Sequence, residues 1–335
     1  MTIQQLLKTA PVTTLLLISF IGLFIIQVLS GVDANNPSTE ELLKWGANAL
    51  PYTMDSEPWR LASSAFLHIG LMHLLFNGFA MYFFGQIAEP MFGSAKFLAL
   101  FLLAAIGGNL LNNHITWQGI LDGTGQPGIS AGASGGIMGI GAALLIAALF
   151  KISVNGMVLN LKSLIIIMGI NLVYGFAVPG IDNAGHIGGA VTGLVIALAF
   201  ALAYRQRLAA TLQIVPSRDG DIYQTTYINS PVNRDTDFSA DTSRFENDNP
   251  RFDNDGNFDN NSSFNHDSAV NLPVNSHANH ASLNHSKLDE QQTATKSTLI
   301  WQVLPWLVML LISIGFIWWW QDIHQQILLV LAAIE

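Results

Sequence analysis

The chain has no cysteine among its 335 residues, which removes disulfides, a thiolate nucleophile and any cysteine metal site at once. Covalent chemistry, if there is any, must use oxygen. Charge is scarce as well: Asp, Glu, Lys and Arg make up 11% of the chain, whereas hydrophobic residues make up 50%. That balance belongs to integral membrane proteins rather than to soluble domains. Carboxylates facing inward within the apolar runs, and repeats among those runs, are both missing, with Glu89 at a helix end beside Pro90, which argues against a transporter built around a proton relay.

What is present is a series of long apolar runs. Crossing a hydrocarbon core of about 30 Å takes roughly 20 apolar residues. Seven runs qualify, near Pro11–Ser30, Ala65–Gly85, Ala95–Asn112, Ala131–Phe150, Leu161–Val178, Ala184–Tyr204 and Leu299–Trp320. The first follows Lys8 as a secretory signal would, but its apolar core is too long for one and it is read as a span. With the amino terminus inside, the inner side receives Lys8, Lys96, Lys151, Lys162, Arg205 and Arg207, and the outer loops only Lys44 and Arg60. The positive-inside rule therefore predicts a cytoplasmic amino terminus, with the fourth and sixth runs both entering from outside.

Three segments follow from this pattern: residues 1–207 with six spans, an Asn/Asp/Ser-rich linker at 208–298, and residues 299–335 with a seventh span and a tail. The linker carries too little aliphatic surface to offset ordering entropy and reads as disordered and cytoplasmic. It holds a short repeat, Arg244-Phe245-Glu246-Asn247-Asp248 and Arg251-Phe252-Asp253-Asn254-Asp255. A calcium loop at Asp253–Gly256 fails, because with Gly256 at loop position 6 the first and twelfth positions fall on Arg251 and Ser262. His266, His277, His280 and His285 lack the rigid framing of a metal site. The seventh span ends in Trp318-Trp319-Trp320, read as an interfacial belt. The stretch Ile327–Ile334 is too short to cross alone, so it either lies at the interface or extends the helix.

Polar groups stand out against the apolar background. Ser134 lies in Gly132-Ala133-Ser134-Gly135-Gly136 and His186 in Ala184-Gly185-His186-Ile187-Gly188-Gly189, each opening an apolar run at its outward end. Ionisable side chains at membrane depth are expensive and mark function, although a lone Ser can simply bond its own backbone. Gly132-x-Ser134-x-Gly136 matches the nucleophile-elbow pattern of soluble hydrolases, but an apolar helix start is the wrong context for that strand-to-helix turn. Without side chains beside Ser134, a substrate backbone could still approach it closely.

Gly185, Gly189 and Gly193 recur every four residues, the strip that lets two membrane helices meet backbone to backbone. Packing of the fourth and sixth spans along it would bring His186 to Ser134 as the base that activates the hydroxyl. Asp182, four before His186, suits a helix N-cap better than the third member of a triad. In the second span His73 and Asn77 share one face and could, with the Ser134 backbone N–H, donate to a developing oxyanion. His68 falls off that face and is read as structural. A zinc site of His68, His73 and His186 would leave the glycine-flanked serine unexplained.

These residues resemble those of the rhomboid intramembrane serine proteases: His68-x4-His73-x3-Asn77, Gly132-Ala133-Ser134-Gly135 and Ala184-Gly185-His186. Trp59-Arg60 is similar to the family's Trp-Arg pair, and Glu89-Pro90-Met91-Phe92-Gly93 to its Glu-x-x-x-Gly. The resemblance covers roughly Pro11–Tyr204. It implies an all-α integral membrane protein with a six-helix core plus one additional C-terminal transmembrane helix. It also implies a Ser134 nucleophile, a His186 base and acid, and an oxyanion hole from His73, Asn77 and Ser134. Gly132, Gly135, Met138 and Gly189 would shape the site beside His68. Met138 departs from the aromatic that the family often places there against the histidine.

The implied substrates are single-span membrane proteins in a lipid bilayer, cut near the outer helix end. No metal, no other cofactor and no nucleic acid is expected, and the implied location is a bacterial inner membrane. Outer loops and the end of the fifth span, Asn171–Gly180, would gate the site. The rivals are a dead relative that escorts membrane helices, marked by loss of Ser134 or His186, both of which are present, and the transporter already argued against.

Overall fold

The computed structural model describes residues 3–125, 128–153, 159–177, 181–215, 224–227 and 280–334. By contact, Met1–Ala210 with Ser297–Glu335 form one compact unit and Thr211–Lys296 a second. The first begins with α1 (Ile3–Thr9), α2 (Pro11–Leu29), and the outer-loop helices α3 (Thr39–Lys44), α4 (Leu50–Asp55) and α5 (Arg60–Ser63). It continues with α6 (Leu71–Phe92), α7 (Ser94–Leu121), α8 (Ser134–Leu149), α9 (Leu161–Ala177) and α10 (Asn183–Thr211), and closes on the apolar part of α11 (His280–Ile334). Among the described residues five helices are long and apolar enough to cross a membrane: α2, α6, α7, α10 and the Leu299–Ile334 part of α11. The helices α8 and α9 are shorter apolar ones of 16 and 17 residues. The protein is an integral membrane protein with a helical bundle.

Residues Phe20, Phe97, Phe101, Ile140, Leu144 and Ile196 are fully buried where α2, α7, α8 and α10 meet. Around this core the helix starts are secured by long-range polar contacts. Pro11 opens α2 but Ala10 offers no side-chain cap. Glu89, 1% exposed near the end of α6, takes its place. It accepts from the backbone N–H of Val12 at 2.9 Å and of Thr13 at 2.7 Å, and from the hydroxyls of Thr13 and Ser94. A carboxylate at a helix N-terminus satisfies orphan donors and complements the dipole.

The outer loop between α2 and α6 is a folded element. Ser38 and Glu41 form a capping box at the start of α3. Buried Arg60 donates to the carbonyls of Leu43 and Ala47, pairs with Glu57, and lies over the rings of Trp59 and Tyr52. Two short strands, β1 (Asn48–Ala49) and β2 (Ile129–Ser130), pair antiparallel and tie this loop to the segment that leads into α8.

Several expected boundaries shift. The second span starts at Leu71 rather than Ala65, because Ser64–Phe66 forms a 3-10 turn and Gly70, at φ +86°, breaks the chain before the helix. The third runs on to Leu121, past Asn112. The helix α11 continues to Ile334, so the tail extends the helix rather than lying apart. Trp319 and Trp320 are not merely a belt: Trp319 packs on His114, Trp320 donates to the Thr53 carbonyl, and only Trp318, 68% exposed, is free of the bundle.

In the second unit, β3 (Leu212–Val215) pairs antiparallel with β4 (Gln224–Tyr227), a hairpin inside the stretch whose composition reads as disordered. Ile214, Val215, Thr225, Thr226 and Tyr227 are residues that suit a strand. The first turns of α11, from His280, fall in the same stretch. The Arg244 and Arg251 repeat, Asp253–Gly256, His266 and His277 lie outside the described residues.

Candidate active site

Ser134 is the first residue of α8. Its backbone N–H, with those that follow it, has no partner within the helix, and Ala133 before it provides no side-chain cap. The helix thus presents free donors beside the hydroxyl. The approach to Ser134 is pinned on both sides: Ser130 pairs with Asn48 across β1–β2, and the Gly132 N–H donates to the Ser64 carbonyl at 2.9 Å.

Gly132 brings this loop against α6. Its φ is +147°, and a β-carbon there would lie 2.6 Å from Cε1 of His73, 2.9 Å from Nε2 and 3.8 Å from the Asn77 amide nitrogen. His73 Nδ1 accepts the Ile69 N–H at 3.2 Å, which leaves the ring proton on Nε2, the side facing Gly132. The buried Asn77 amide spends one hydrogen on the His73 carbonyl at 3.1 Å and keeps the second. Two side-chain donors therefore stand beside the loop two residues before Ser134. His68, 2% exposed, packs edge-on against His73, with ring centres 5.4 Å apart, and against Phe20 at 5.2 Å. It wedges the His73 ring from behind.

The helix α10 arrives through glycine. A β-carbon on Gly189 or Gly193 would run into the carbonyls of Gly135 and Gly139, and one on Gly135 would meet the Gly185 carbonyl at 3.3 Å. The helices α8 and α10 thus touch backbone to backbone, and His186, next to Gly185, enters beside the residue after Ser134. Its Nδ1 is buried with no hydrogen-bond partner among the described residues. Met138 is buried one turn along α8 at 7% exposure.

Asp182 is occupied elsewhere. Its carboxylate accepts from the Gly185 N–H at 2.7 Å, as an N-cap does, and from Asn112 at 2.9 Å and the Ser130 hydroxyl at 2.7 Å. It joins α10, α7 and the Ser134 loop, a placement that fits a cap and not a partner for the His186 ring.

Residues that the sequence reading passed over carry this assembly. Asn109 donates to the Leu61 carbonyl and the Ser64 hydroxyl, both at 2.8 Å, Asn112 to Asp182, and Asn113 exchanges amide bonds with Asn48. These three asparagines sit at i, i+3 and i+4 on α7, so one face holds the outer loop, the serine loop and the start of α10 together. That spacing inside an apolar run was the available signal. Among the described residues no group of three His, Asp or Glu side chains is arranged to hold a metal. At the fifth span α9 is described to Ala177, and Val178–Gly180 of the expected gate lie outside the described residues.

A helical membrane bundle in which a serine opens one helix, a histidine lies on a second helix packed on it through glycine, and two side-chain donors stand beside the loop before the serine defines a class of multi-span membrane protein. Comparison places it further. Residues 55–203 match the model of the rhomboid domain. The chain is 35% identical over 209 residues to Rhomboid protease GluP of Bacillus subtilis (strain 168), covering 61% of this chain and 39% of that protein. It is 33% identical over 189 residues to Rhomboid protease AarA of Providencia stuartii, covering 52% of this chain and 66% of that protein. RHOMBOID-like protein 6, mitochondrial, of Arabidopsis thaliana is 33% identical over 162 residues, 48% of this chain and 50% of its own length. The chain carries a rhomboid domain over residues 55–203, and spans between about two fifths and two thirds of these relatives.

Proposed function

We propose that the chain is an intramembrane serine endopeptidase that cuts the transmembrane segments of single-span membrane proteins through a Ser134–His186 dyad. The observation that carries this reading is the backbone contact of α8 with α10 at Gly135, Gly185 and Gly189, which leaves His186 no distant place to go. Ser134 Oγ attacks the scissile carbonyl while His186 takes its proton and returns it to the leaving amine; water then releases the acyl-enzyme. Nε2–H of His73, the free Asn77 amide hydrogen and the Ser134 N–H hold the oxyanion. The names of the bacterial relatives, both called rhomboid proteases, support the same activity.

In this reading α2, α6, α7, α8, α9 and α10 form a six-span core, with α11 a seventh span. The amino terminus is cytoplasmic in a bacterial inner membrane, and the stretch 208–298 is a cytoplasmic linker. The test is cleavage of a single-span reporter in liposomes by the wild type, Ser134→Ala and His186→Ala, with EDTA present throughout. Cleavage by the wild type alone supports the proposal. Undiminished cleavage by either variant would overturn the dyad, and silence from all three folded proteins would favour a helix-binding relative.

A further inference from the structure

At the end of the bundle away from Ser134, α6 stops at Phe92, α7 begins with Lys96 one turn inside, and α10 runs out past Tyr204 and Arg207. The helix α11 passes the same end with Trp301 and Gln302. A cavity of about 90 Å³ opens between these four helices and the segment after α8, lined by Phe92, Lys96, Tyr204, Arg207, Trp301 and Gln302 together with five further apolar residues. Lys96 is half-buried there and close enough to Arg207 for the two positive charges to act on each other. Among the described residues neither forms an ion pair. Among the described residues the carboxylate of Glu89, near this end, is committed to Val12, Thr13 and Ser94. The neighbouring cation Arg205 lies over the Phe150 ring instead.

We propose that this cavity binds the phosphodiester headgroup of an anionic membrane lipid between Lys96 and Arg207. Two like charges converging on one cavity are relieved by an anion placed between them. The guanidinium of Arg207 can grip two phosphate oxygens while Lys96 supplies a point charge. Tyr204 and Trp301 are the residues that settle at headgroup depth, and basic pockets between spans at the inner leaflet are where such headgroups lodge. A lipid fits better than free phosphate, because the adjoining face of α11 exposes Ile300 and Val303, 65% and 47% accessible, along which an acyl chain can lie.

The test uses the purified full chain in neutral detergent, titrated separately with phosphatidylglycerol, phosphatidylcholine and inorganic phosphate, reading retained lipid by native mass spectrometry and the thermal midpoint. One phosphatidylglycerol should be retained in preference to phosphatidylcholine, and Lys96→Gln/Arg207→Gln should weaken it roughly 30-fold. The charge-keeping swap Lys96→Arg/Arg207→Lys should retain binding, which separates charge loss from misfolding. Equal retention of both lipids would overturn the site. So would an equal loss in Lys8→Gln/Lys162→Gln, the mark of general electrostatics. Displacement of the lipid by an equal concentration of inorganic phosphate would make it a soluble-anion site and overturn the lipid assignment.

Discussion

A β-carbon on Gly132 would stand 2.6 Å from Cε1 of His73, so the loop that delivers Ser134 lies flush against the imidazole of α6. Position 132 has to be glycine twice over, for this contact and for its φ of +147°. One backbone contact thereby sets the proposed oxyanion donors against the loop that leads to the proposed nucleophile.

Gly132→Ala should leave the bundle folded yet displace His73 or the loop. Loss of a positioned oxyanion donor costs about 10²- to 10³-fold in rate, and reporter cleavage by this variant should fall into that range, as should cleavage by Asn77→Ala. Wild-type turnover by Gly132→Ala would mean the contact does not govern the chemistry.

Gly189→Leu should part α8 from α10, since its side chain would enter the Gly135 carbonyl. Overpacking of this kind costs about 1–3 kcal/mol or more, and the unfolding midpoint should fall with cleavage. Gly169→Ala on α9, where nothing lies within 4 Å of an added β-carbon, should leave both nearly unchanged.

Glu89→Ala should destabilise the bundle by about 3 kcal/mol, because it strands the N–H groups of Val12 and Thr13 that the carboxylate serves. A denaturant titration reads this directly. Glu89→Gln, which keeps an acceptor, should recover part of the loss.

Glu41 in the outer loop is held below its ordinary value near 4.5, by hydrogen bonds first from the Ser38 backbone and then from its hydroxyl. A depressed carboxylate stabilises above its unfolded value and stops doing so as pH falls through the folded one. The protection of α3 amides, measured as exchange relative to the unfolded chain at the same pH, should therefore fall as pH drops below about 4.5, and Glu41→Gln should show the reduced protection already at neutral pH.

Five of the seven expected spans recur, among the described residues, as helices long and apolar enough to cross, because length and polarity are written in the sequence; the fourth and fifth recur as shorter apolar helices, and the glycine interval at 185, 189 and 193 marks the close-packed helix pair. Boundaries were less so. Gly70 holds back the start of α6 by its φ, a property of one backbone angle that an apolar run masks. The ties of Asp182 to Asn112 and Ser130 join positions 70 and 52 residues apart, and no local pattern encodes such pairings. Trp319 and Trp320 read as belt residues because aromatic side chains suit headgroup depth and a packed interface equally well. The surface of α4 that receives Trp320 becomes visible only once the outer loop is folded.

The central claim is that His186 activates Ser134, and a fluorophosphonate probe tests it most directly. The protein in detergent is labelled, digested and mapped by mass spectrometry, for the wild type and a folded His186→Ala. The account predicts one adduct, on Ser134, strongly reduced in the histidine variant. An adduct on another residue, or equal labelling of Ser134 without His186, would contradict it.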